Sequence, residues 1–203
     1  MVSVLSTQFS LVNSWINELR NVDVQQDRMR FRRNMERIGE IAAFELSKDL
    51  ETKEIEIQTP LDKLKVKEIA VQPVITTILR AGVPLFEGIL NYFDKADCGF
   101  VAAYRKHDAN DYFSIKQDYL TCPNIDGRPL IVADPMLATG ASLIEAIKDL
   151  LTNGTPSQLH IVAAIASKQG VETIEKAYPQ AKIWVGAIDE NLTAKGYITP
   201  GLG

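Results

Sequence analysis

The residues best suited to chemistry lie in one short stretch, from Leu130 to Ser142. An apolar run ends at Asp134, small residues follow, and an amphipathic segment then begins, which predicts a strand, a loop and a helix. The backbone N–H groups and the dipole at the start of such a helix attract a phosphate. Thr139 and Ser142 add hydroxyl donors, and Gly140 permits unusual backbone angles.

Asp134 would repel a bare phosphate, so we expect its partners to be sugar hydroxyls or a metal ion held with the ligand. Phosphate, sugar and carboxylate together indicate a ribose 5-phosphate group. The sequence contains neither the Gly-Lys-Ser/Thr ending of a Walker loop nor the glycine-rich turn of a dinucleotide fold. The residues by themselves leave one alternative open, an ordinary strand-to-helix turn capped by Ser142 or Thr139.

The segment Asp-Pro-Met-Leu-Ala-Thr-Gly, from Asp134 to Gly140, resembles the 5-phosphoribosyl 1-diphosphate loop of type I phosphoribosyltransferases, in the form found in the uracil phosphoribosyltransferase family. Purine and orotate enzymes and pyrimidine-operon regulators usually carry a second acid beside the first, whereas Asp134 is flanked by Ala133 and Pro135. The resemblance implies that this ligand is bound by Asp134, Pro135, Met136, Leu137, Ala138, Thr139, Gly140, Ala141 and Ser142.

Two arginines are expected to meet the diphosphate. Ile78-Leu79-Arg80-Ala81-Gly82 resembles the diphosphate loop of the family, and Tyr104-Arg105 resembles a pair at the base of a mobile arm. A guanidinium is a planar fork of donors that suits phosphate oxygens. Position alone would favour a surface ion pair for Arg80. The resemblance instead implies catalytic roles for Asp134, Arg80 and Arg105.

The C-terminal segment 188–203 resembles the uracil-binding hood of the family. Its glycines and prolines alone predict only a coil. The resemblance implies that main-chain groups at Tyr197 and Ile198 and around Gly203 hold the base, which suits the alternating acceptors and donor of uracil. In the family, the matching glycine is followed by Asp-Ala-Gly-Asp. The Asp directly after the glycine contributes to both the base site and the phosphoribosyl site. The printed sequence ends at Gly203.

The resemblance thus implies an enzyme of pyrimidine salvage that makes uridine 5′-monophosphate and diphosphate from uracil and 5-phosphoribosyl 1-diphosphate. Mg²⁺ is the expected cofactor, carried with the diphosphate and reached by the protein, if at all, through Asp134. The resemblance also implies a homodimer or higher homo-oligomer, and it leaves activation by GTP open.

One alternative from another class is a non-catalytic sensor that binds the phosphoribosyl ligand and regulates a partner. The Asp that is absent after Gly203 favours the sensor, whereas Arg80, Arg105 and Asp134 favour catalysis. A third possibility, transfer to another base, is disfavoured by the hood sequence.

Alternating strands and helices are needed to position these motifs. Apolar runs end before Arg80, Arg105 and Asp134, and further strands are predicted at 159–166 and 181–187. This rhythm predicts an α/β fold of the type I phosphoribosyltransferase kind, with a mostly parallel twisted sheet flanked by helices. Because ligands gather beyond the carboxyl ends of such strands, the three motifs are expected to share one crevice.

We expect a single domain over residues 1–203 with three additions: a helical extension (1–50), a β-arm (104–122) and the hood. In the extension, two helices precede the first strand and cover a sheet face or contact another subunit. The apolar faces are predicted to consist of Leu11, Trp15 and Leu19 in the first helix and of Phe31, Met35, Ile38, Ala42 and Leu46 in the second. A half-exposed strand is expected at 54–59 and a short strand at 66–71.

Composition excludes several classes of protein. The 203 residues carry a net charge of −4, which argues against a sequence-independent nucleic-acid binder. No apolar run approaches a membrane span, and the N-terminus lacks a signal-peptide pattern. Cys98 and Cys122 have no metal-type spacing and indicate a reduced, cytoplasmic protein. The two histidines, His107 and His160, make neither a metal site nor a catalytic triad.

Overall fold

A sheet with helices on both faces forms the centre of the protein. The computed structural model describes residues 1–107 and 113–202, and the side chains of 1–102 and 119–202. The strands are, in chain order, β1 (Val2–Val4), β2 (Thr52–Gln58), β3 (Lys63–Ile69), β4 (Val74–Leu79), β5 (Asp97–His107), β6 (Phe113–Thr121), β7 (Pro129–Ala133), β8 (Met136–Leu137), β9 (Gln158–Ser167), β10 (Lys182–Asp189), β11 (Asn191–Leu192) and β12 (Ile198–Thr199). The helices are α1 (Leu11–Arg20), α2 (Arg28–Ser47), α3 (Val83–Leu90), α4 (Ala141–Leu150) and α5 (Lys168–Ala177).

The main sheet has the order β1-β10-β9-β7-β4-β5-β6, with the short β8 added beside β9. Its pairings are parallel except that of β5 with β6, which is antiparallel. The predicted mostly parallel sheet is therefore confirmed. Thr77 of β4 lies opposite Ala133 of β7, and Leu79 lies opposite Ala102 of β5. The carboxyl ends of these three strands consequently share one edge.

The chain changes direction across the sheet between β4 and β7. From β4 it passes through α3 to β5 on one side, and from β7 it passes through α4 to β9 on the other. Helices α1, α2 and α3 pack in one core with Ile131 and Ala133, while α4 and α5 pack in a second core with Leu130 and Val132. Such a switch point leaves a crevice at the carboxyl ends of the strands, where α/β proteins bind ligands.

The N-terminal extension differs from its prediction at the start. Val2–Val4 forms β1, which pairs with β10 at the sheet edge, so the helices do not precede the first strand. A three-residue strand has no pattern of its own and is stabilised by its neighbour. In α1 the buried residues are Val12, Ile16 and Leu19, whereas Leu11 is 67% exposed. The predicted apolar face of α1 was therefore rotated by about one position.

The second helix has its predicted face, with Met35, Ile38, Ala42 and Leu46 buried and Phe31 partly buried. It contacts α3 at backbone distance. A Cβ atom at Gly39 would overlap the carbonyl oxygen of Leu85, and one at Gly88 would overlap that of Glu36. The extension therefore covers a sheet face together with α3, which is one of the two roles expected for it.

Strands β2 and β3 form a separate antiparallel ribbon outside the main sheet. The predicted strand boundaries at 54–59 and 66–71 are shifted, because the turn is confined to Thr59–Asp62, where Thr59 N–H donates to the Asp62 carbonyl over 2.9 Å. None of the helices in the described ranges is long and apolar enough to cross a membrane.

His160 is a buried structural histidine at the amino end of β9. Its Nδ1 accepts from Trp184 Nε1 at 3.1 Å, so its Nε2 carries the proton and donates to Gln158 Oε1 at 3.0 Å. Burial, with a smaller contribution from Lys182, lowers the pKa of His160 to about 4 against the opposing effect of Asp49. The folded protein thus holds His160 neutral near pH 7.

We predict an acid-sensitive contribution of His160 to stability. The unfolded chain binds this proton near pH 6.5 and the folded chain only near pH 4, so stability is lost as the pH falls through that window. Between pH 7.5 and 5 the loss should be about 2 kcal/mol. Urea unfolding at the two pH values should show a smaller loss for His160→Gln, which keeps a donor and an acceptor but does not titrate. Equal losses in the parent and the variant would contradict this role.

Candidate functional site

The ends of β4 and β7 build the base of the crevice. Asp134 follows β7 directly, and its N–H donates to the Val162 carbonyl at 3.0 Å. Arg80 follows β4 directly and is exposed. Beneath them the buried Thr77 hydroxyl donates to the Ala133 carbonyl at 2.9 Å and ties the two strand ends together. The structure therefore brings Asp134 and Arg80 to the same switch point, as predicted.

Gly82 lets the backbone after Arg80 lie close against the floor of the crevice. A Cβ atom at Gly82 would overlap the Thr77 hydroxyl and approach the Ile78 carbonyl oxygen at 2.8 Å. The turn after Arg80 thus lies directly against the strand ends, where a side chain has no room. Thr77 was not singled out in the sequence, although a threonine at the end of a buried apolar run is a signal that was available.

Asp134 has an unusual electrostatic environment for a carboxylate. Burial raises its pKa to about 6, and a hydrogen bond from the backbone N–H of Met136 opposes that rise. The residue nevertheless keeps part of its surface exposed, so a ligand in the crevice can reach it. At neutral pH, Asp134 is an ionised acceptor with few donors around it. A sugar with two hydroxyl groups, or a metal ion carried with a ligand, would supply what the carboxylate lacks.

The loop after Asp134 first runs along β9 and then turns into α4. The Pro135 carbonyl accepts from the N–H groups of Ala164 and Ile165 at 3.1 Å each, and β8 pairs with β9. Gly140 then starts α4 with φ of +82°, in the left-handed region that favours glycine. The strand, loop and helix predicted for this stretch are confirmed, with β8 as an additional element.

The N-terminus of α4 has no side-chain cap. Ala141 N–H donates to Thr139 Oγ1, but at the long distance of 3.4 Å. Within the described parts of the chain, no acceptor meets the N–H groups of Gly140, Ser142 or Leu143. An ordinary capped turn would satisfy these donors itself. The geometry therefore favours an anion-binding loop over the capped turn that the sequence left open.

The loop from Asp134 to Gly140 rests on the start of α5. The buried Ser167 hydroxyl donates to the Ala138 carbonyl at 2.6 Å and accepts from Gly170 N–H at 2.9 Å. A Cβ atom at Gly170 would overlap the carbonyl oxygens of Ala138 and Leu137. Ser167 and Gly170 thus fix the distance between the loop and the start of α5. Neither residue was singled out from the sequence, although a serine directly between an apolar strand and an amphipathic helix is a recognisable N-cap pattern.

We predict that Ser167→Ala weakens binding of 5-phosphoribosyl 1-diphosphate by about 10-fold, because an unsatisfied buried carbonyl costs 1–3 kcal/mol and lets the loop move. Titration calorimetry measures the dissociation constant. Ser10→Ala is the matched control, since Ser10 caps α1 in the same way far from the crevice. It should lower stability without changing the dissociation constant, and an equal effect of both variants would contradict the role of Ser167.

The C-terminal segment is ordered, although its composition alone predicted a coil. Strands β11 and β12 pair antiparallel, with Leu192 opposite Ile198. Their turn is closed by Thr193, whose N–H donates to the Tyr197 carbonyl at 2.8 Å. A Cβ atom at Gly196 would lie 3.6 Å from Thr139 Cγ2, so this turn lies beside the loop that precedes α4. Ile198 is buried, and the Tyr197 side chain is 62% exposed.

Two predicted site residues, Arg105 and Gly203, lie partly or wholly outside the described residues. Arg105 lies on β5 opposite Ile115, which brings its backbone to the same sheet edge, but its side chain lies outside the described residues. Gly203 and residues 108–112 of the predicted β-arm also lie outside them. The antiparallel return of the predicted arm is present from Thr121 back to Phe113.

Asp134, Arg80 and the uncapped start of α4 thus lie around one switch point of the parallel sheet. A solved hypoxanthine-guanine phosphoribosyltransferase from Bacillus anthracis superimposes with a TM-score of 0.50 at 13% identity, covering 76% of each chain. At that identity the likeness concerns the fold alone, and it confirms the predicted type I fold class.

The chain belongs to the uracil phosphoribosyltransferase family, because the family model of that description matches residues 6–203. The uracil phosphoribosyltransferase of Porphyromonas gingivalis is 44% identical over 200 residues, which cover 98% of this chain and 93% of the relative. The solved AQ2163 protein from Aquifex aeolicus superimposes with a TM-score of 0.88 at 30% identity, covering 100% of this chain and 94% of that one. The predicted family and the predicted enzyme class are confirmed.

Proposed function

We propose that this chain transfers the phosphoribosyl group of 5-phosphoribosyl 1-diphosphate to uracil, giving uridine 5′-monophosphate and diphosphate. The observation that carries the proposal is the crevice between β4 and β7, where Asp134, Arg80 and the uncapped start of α4 meet. Family membership favours this enzyme over the non-catalytic sensor. It also favours uracil over other bases.

The loop Asp134–Ser142 binds the ribose 5-phosphate part in this proposal. The phosphate accepts from the free N–H groups at the start of α4 and from the hydroxyls of Thr139 and Ser142. Pro135, Met136, Leu137, Ala138 and Ala141 complete the loop, and Met136 and Leu137 anchor it by pairing with β9. Asp134 accepts hydrogen bonds from the ribose hydroxyls and fixes the ring.

Arg80 and Arg105 hold the diphosphate. Breaking the bond from ribose C1 to the diphosphate oxygen leaves the electron pair on the leaving group, and positive charge builds on the sugar. Two guanidinium forks stabilise the leaving charge at the moment it forms. Arg80 is exposed at the mouth of the crevice, within reach of a ligand that enters from solvent.

Mg²⁺ fits this site as a partner of the diphosphate. Among the described residues, no group of three or more histidines, cysteines or acids is gathered to hold a metal by itself. Mg²⁺ usually relies on one or two carboxylates together with substrate phosphates, and Asp134 is the carboxylate that would hold it here. When bound, the ion supplies neutralisation of diphosphate charge.

The hood binds uracil through its main chain at Tyr197, Ile198 and Gly203. Uracil N1 attacks ribose C1 from the face opposite the diphosphate, and the N1 proton leaves to solvent as the C–N bond forms. Main-chain N–H donors stabilise negative charge on a uracil carbonyl oxygen, so no strong base is required. Family membership supports the hood assignment, as does the position of the turn at Gly196 beside Thr139.

A homo-oligomer is also part of the proposal. One face of the β2–β3 ribbon carries Ile55, Ile57, Leu64 and Val66 in register, of which Ile57 and Leu64 are 38% and 51% exposed. A two-stranded ribbon is marginally stable alone, so a second copy covering this face would account for it. Light scattering should report at least a dimer. Activation by GTP and a cytoplasmic location stay predictions.

The proposed function is tested by incubating the protein with Mg²⁺ and 5-phosphoribosyl 1-diphosphate, with and without uracil, and quantifying uridine 5′-monophosphate and diphosphate by chromatography. Equal amounts of the two products, formed only with uracil, are expected. Tight binding of the phosphoribosyl ligand without product would contradict the enzyme and favour the sensor.

A further inference from the structure

The C-terminal segment is tied to the N-terminal helices by one ion pair. Arg20, in the last turn of α1, donates from Nη2 to Asp189 Oδ1 and from Nη1 to Asp189 Oδ2, both at 2.8 Å. Its Nη1 also donates to the Gly201 carbonyl at 2.9 Å. Asp189 Oδ2 in turn accepts from Gly201 N–H at 2.9 Å. Both backbone polar groups of Gly201 are therefore held by the pair.

The chemistry of this pair differs from that of a surface ion pair. The side chains of Asp189 and Arg20 are only 7% and 22% exposed. Burial acts to raise the pKa of Asp189, but the hydrogen bonds from Arg20 and Gly201 outweigh it and lower that pKa below its usual value. A buried pair of this kind often adds little net stability over apolar residues, yet it fixes geometry, and loss of one partner is costly.

Gly201 is a position where geometry is needed. Its φ of +59° lies in the left-handed region, and a Cβ atom there would overlap the Ile198 carbonyl oxygen. Ile198, three residues before Gly201, is a place where the proposed function puts a main-chain contact with uracil. The position of the main chain at Ile198 therefore depends on where Gly201 is held.

A second tether supports the same segment. Gln25 Nε2 donates to the Leu202 carbonyl at 3.1 Å and to the Leu19 carbonyl at 3.2 Å. Leu202 and Ile198 are both buried in the core formed with α1, α2 and α3. The N-terminal helices thus hold the segment through polar and apolar contacts on one side, while the crevice lies on the other.

We infer that Arg20 and Asp189 are positioning residues for the base site, which set the main-chain geometry that recognises the planar pyrimidine. The inference rests on the proposed function and assigns part of its specificity to the N-terminal helices. Neither residue needs to touch the base. The hydrogen bonds of the pair go to Gly201 and not to the loop Asp134–Ser142. Its loss should therefore weaken binding of the base and leave binding of the phosphoribosyl donor unchanged.

The test is steady-state kinetics of Asp189→Asn and Arg20→Gln with uracil and with 5-phosphoribosyl 1-diphosphate as the varied substrate, well below the unfolding temperature of each variant. The KM for uracil should rise at least about 10-fold, the KM for the donor should change less than about 2-fold, and kcat should fall less than about 3-fold. Arg20→Lys keeps the charge but loses the fork, so its KM for uracil should lie between those of the parent and Arg20→Gln.

The pair between Arg128 and Asp97 provides the matched control. Arg128 is likewise 22% exposed, bonds Asp97 at 2.6 Å and donates to the Gln72 and Pro73 carbonyls, but at the amino-terminal edge of the sheet. Arg128→Gln should lower stability and leave both KM values unchanged. Equal changes in the two KM values, or no rise in the KM for uracil, would overturn the positioning role. A parent that makes no uridine monophosphate would instead overturn the proposed function.

Discussion

Asp134→Asn should reduce turnover by at least about 100-fold while the protein stays folded. Each charge-assisted hydrogen bond to the ribose hydroxyls contributes about 1.5–3 kcal/mol, and the amide forms weaker bonds and offers one acceptor oxygen in place of two. The measurement is kcat/KM for 5-phosphoribosyl 1-diphosphate at saturating uracil. Turnover within a few-fold of the parent would remove the role assigned to Asp134.

The same variant should be more stable than the parent when no ligand is bound. The folded-state pKa of Asp134, about 6, lies above its ordinary value of 3.8, so the folded protein prefers the neutral form. Its contribution to stability is present below pH 3.8 and is lost as the pH rises through 6. At pH 8, Asp134→Asn should raise the free energy of unfolding by about 3 kcal/mol, and the gain should shrink towards pH 4.

Chemical unfolding of the parent and Asp134→Asn at pH 4 and pH 8 measures this gain. A variant that is more stable than the parent but inactive would mean that the carboxylate serves ligand binding and lowers the stability of the ligand-free protein. A variant that is destabilised at pH 8 would show that the carboxylate is part of the structural core instead.

Arg80→Gln should lower kcat/KM for 5-phosphoribosyl 1-diphosphate by about 100- to 1,000-fold, because removal of one preorganised donor to a developing charge typically costs that much. Arg80→Lys should lie between, since it keeps the charge without the fork. Arg32→Gln is the control, because Arg32 is an exposed arginine of α2 on the outer surface of the extension. If both glutamine variants behaved alike, Arg80 would be an ordinary surface residue.

The strand, loop and helix around Asp134 could be predicted because their signals are local. A buried strand is an unbroken apolar run, and the small residues before α4 mark the turn within a few positions. The parallel direction of β4, β7 and β9 follows from the same rhythm, and it places Asp134 and Arg80 at one edge, whereas the order of these strands in the sheet was not predicted. For these elements, periodicity and the rules of α/β topology were sufficient.

Other features depend on contacts that no local pattern contains. Arg20 and Asp189 are separated by 169 positions, so neither residue hints at the other. β1 exists only because β10 offers a free edge. In α1, Leu11 and Trp15 were predicted to be buried, but Val12 and Ile16 are buried instead. Both pairs are four residues apart, and only the direction in which the sheet lies decides between them.

The measurement that tests the central claim most directly is a competition among bases. Uracil, cytosine, hypoxanthine and orotate are supplied in equal concentration with Mg²⁺ and limiting 5-phosphoribosyl 1-diphosphate, and every nucleotide product is quantified by mass spectrometry. Uridine 5′-monophosphate should account for nearly all product, and Asp134→Asn should yield almost none. A different nucleotide as the main product would contradict the assignment of the hood to uracil, and the absence of any nucleotide would contradict catalysis by this site.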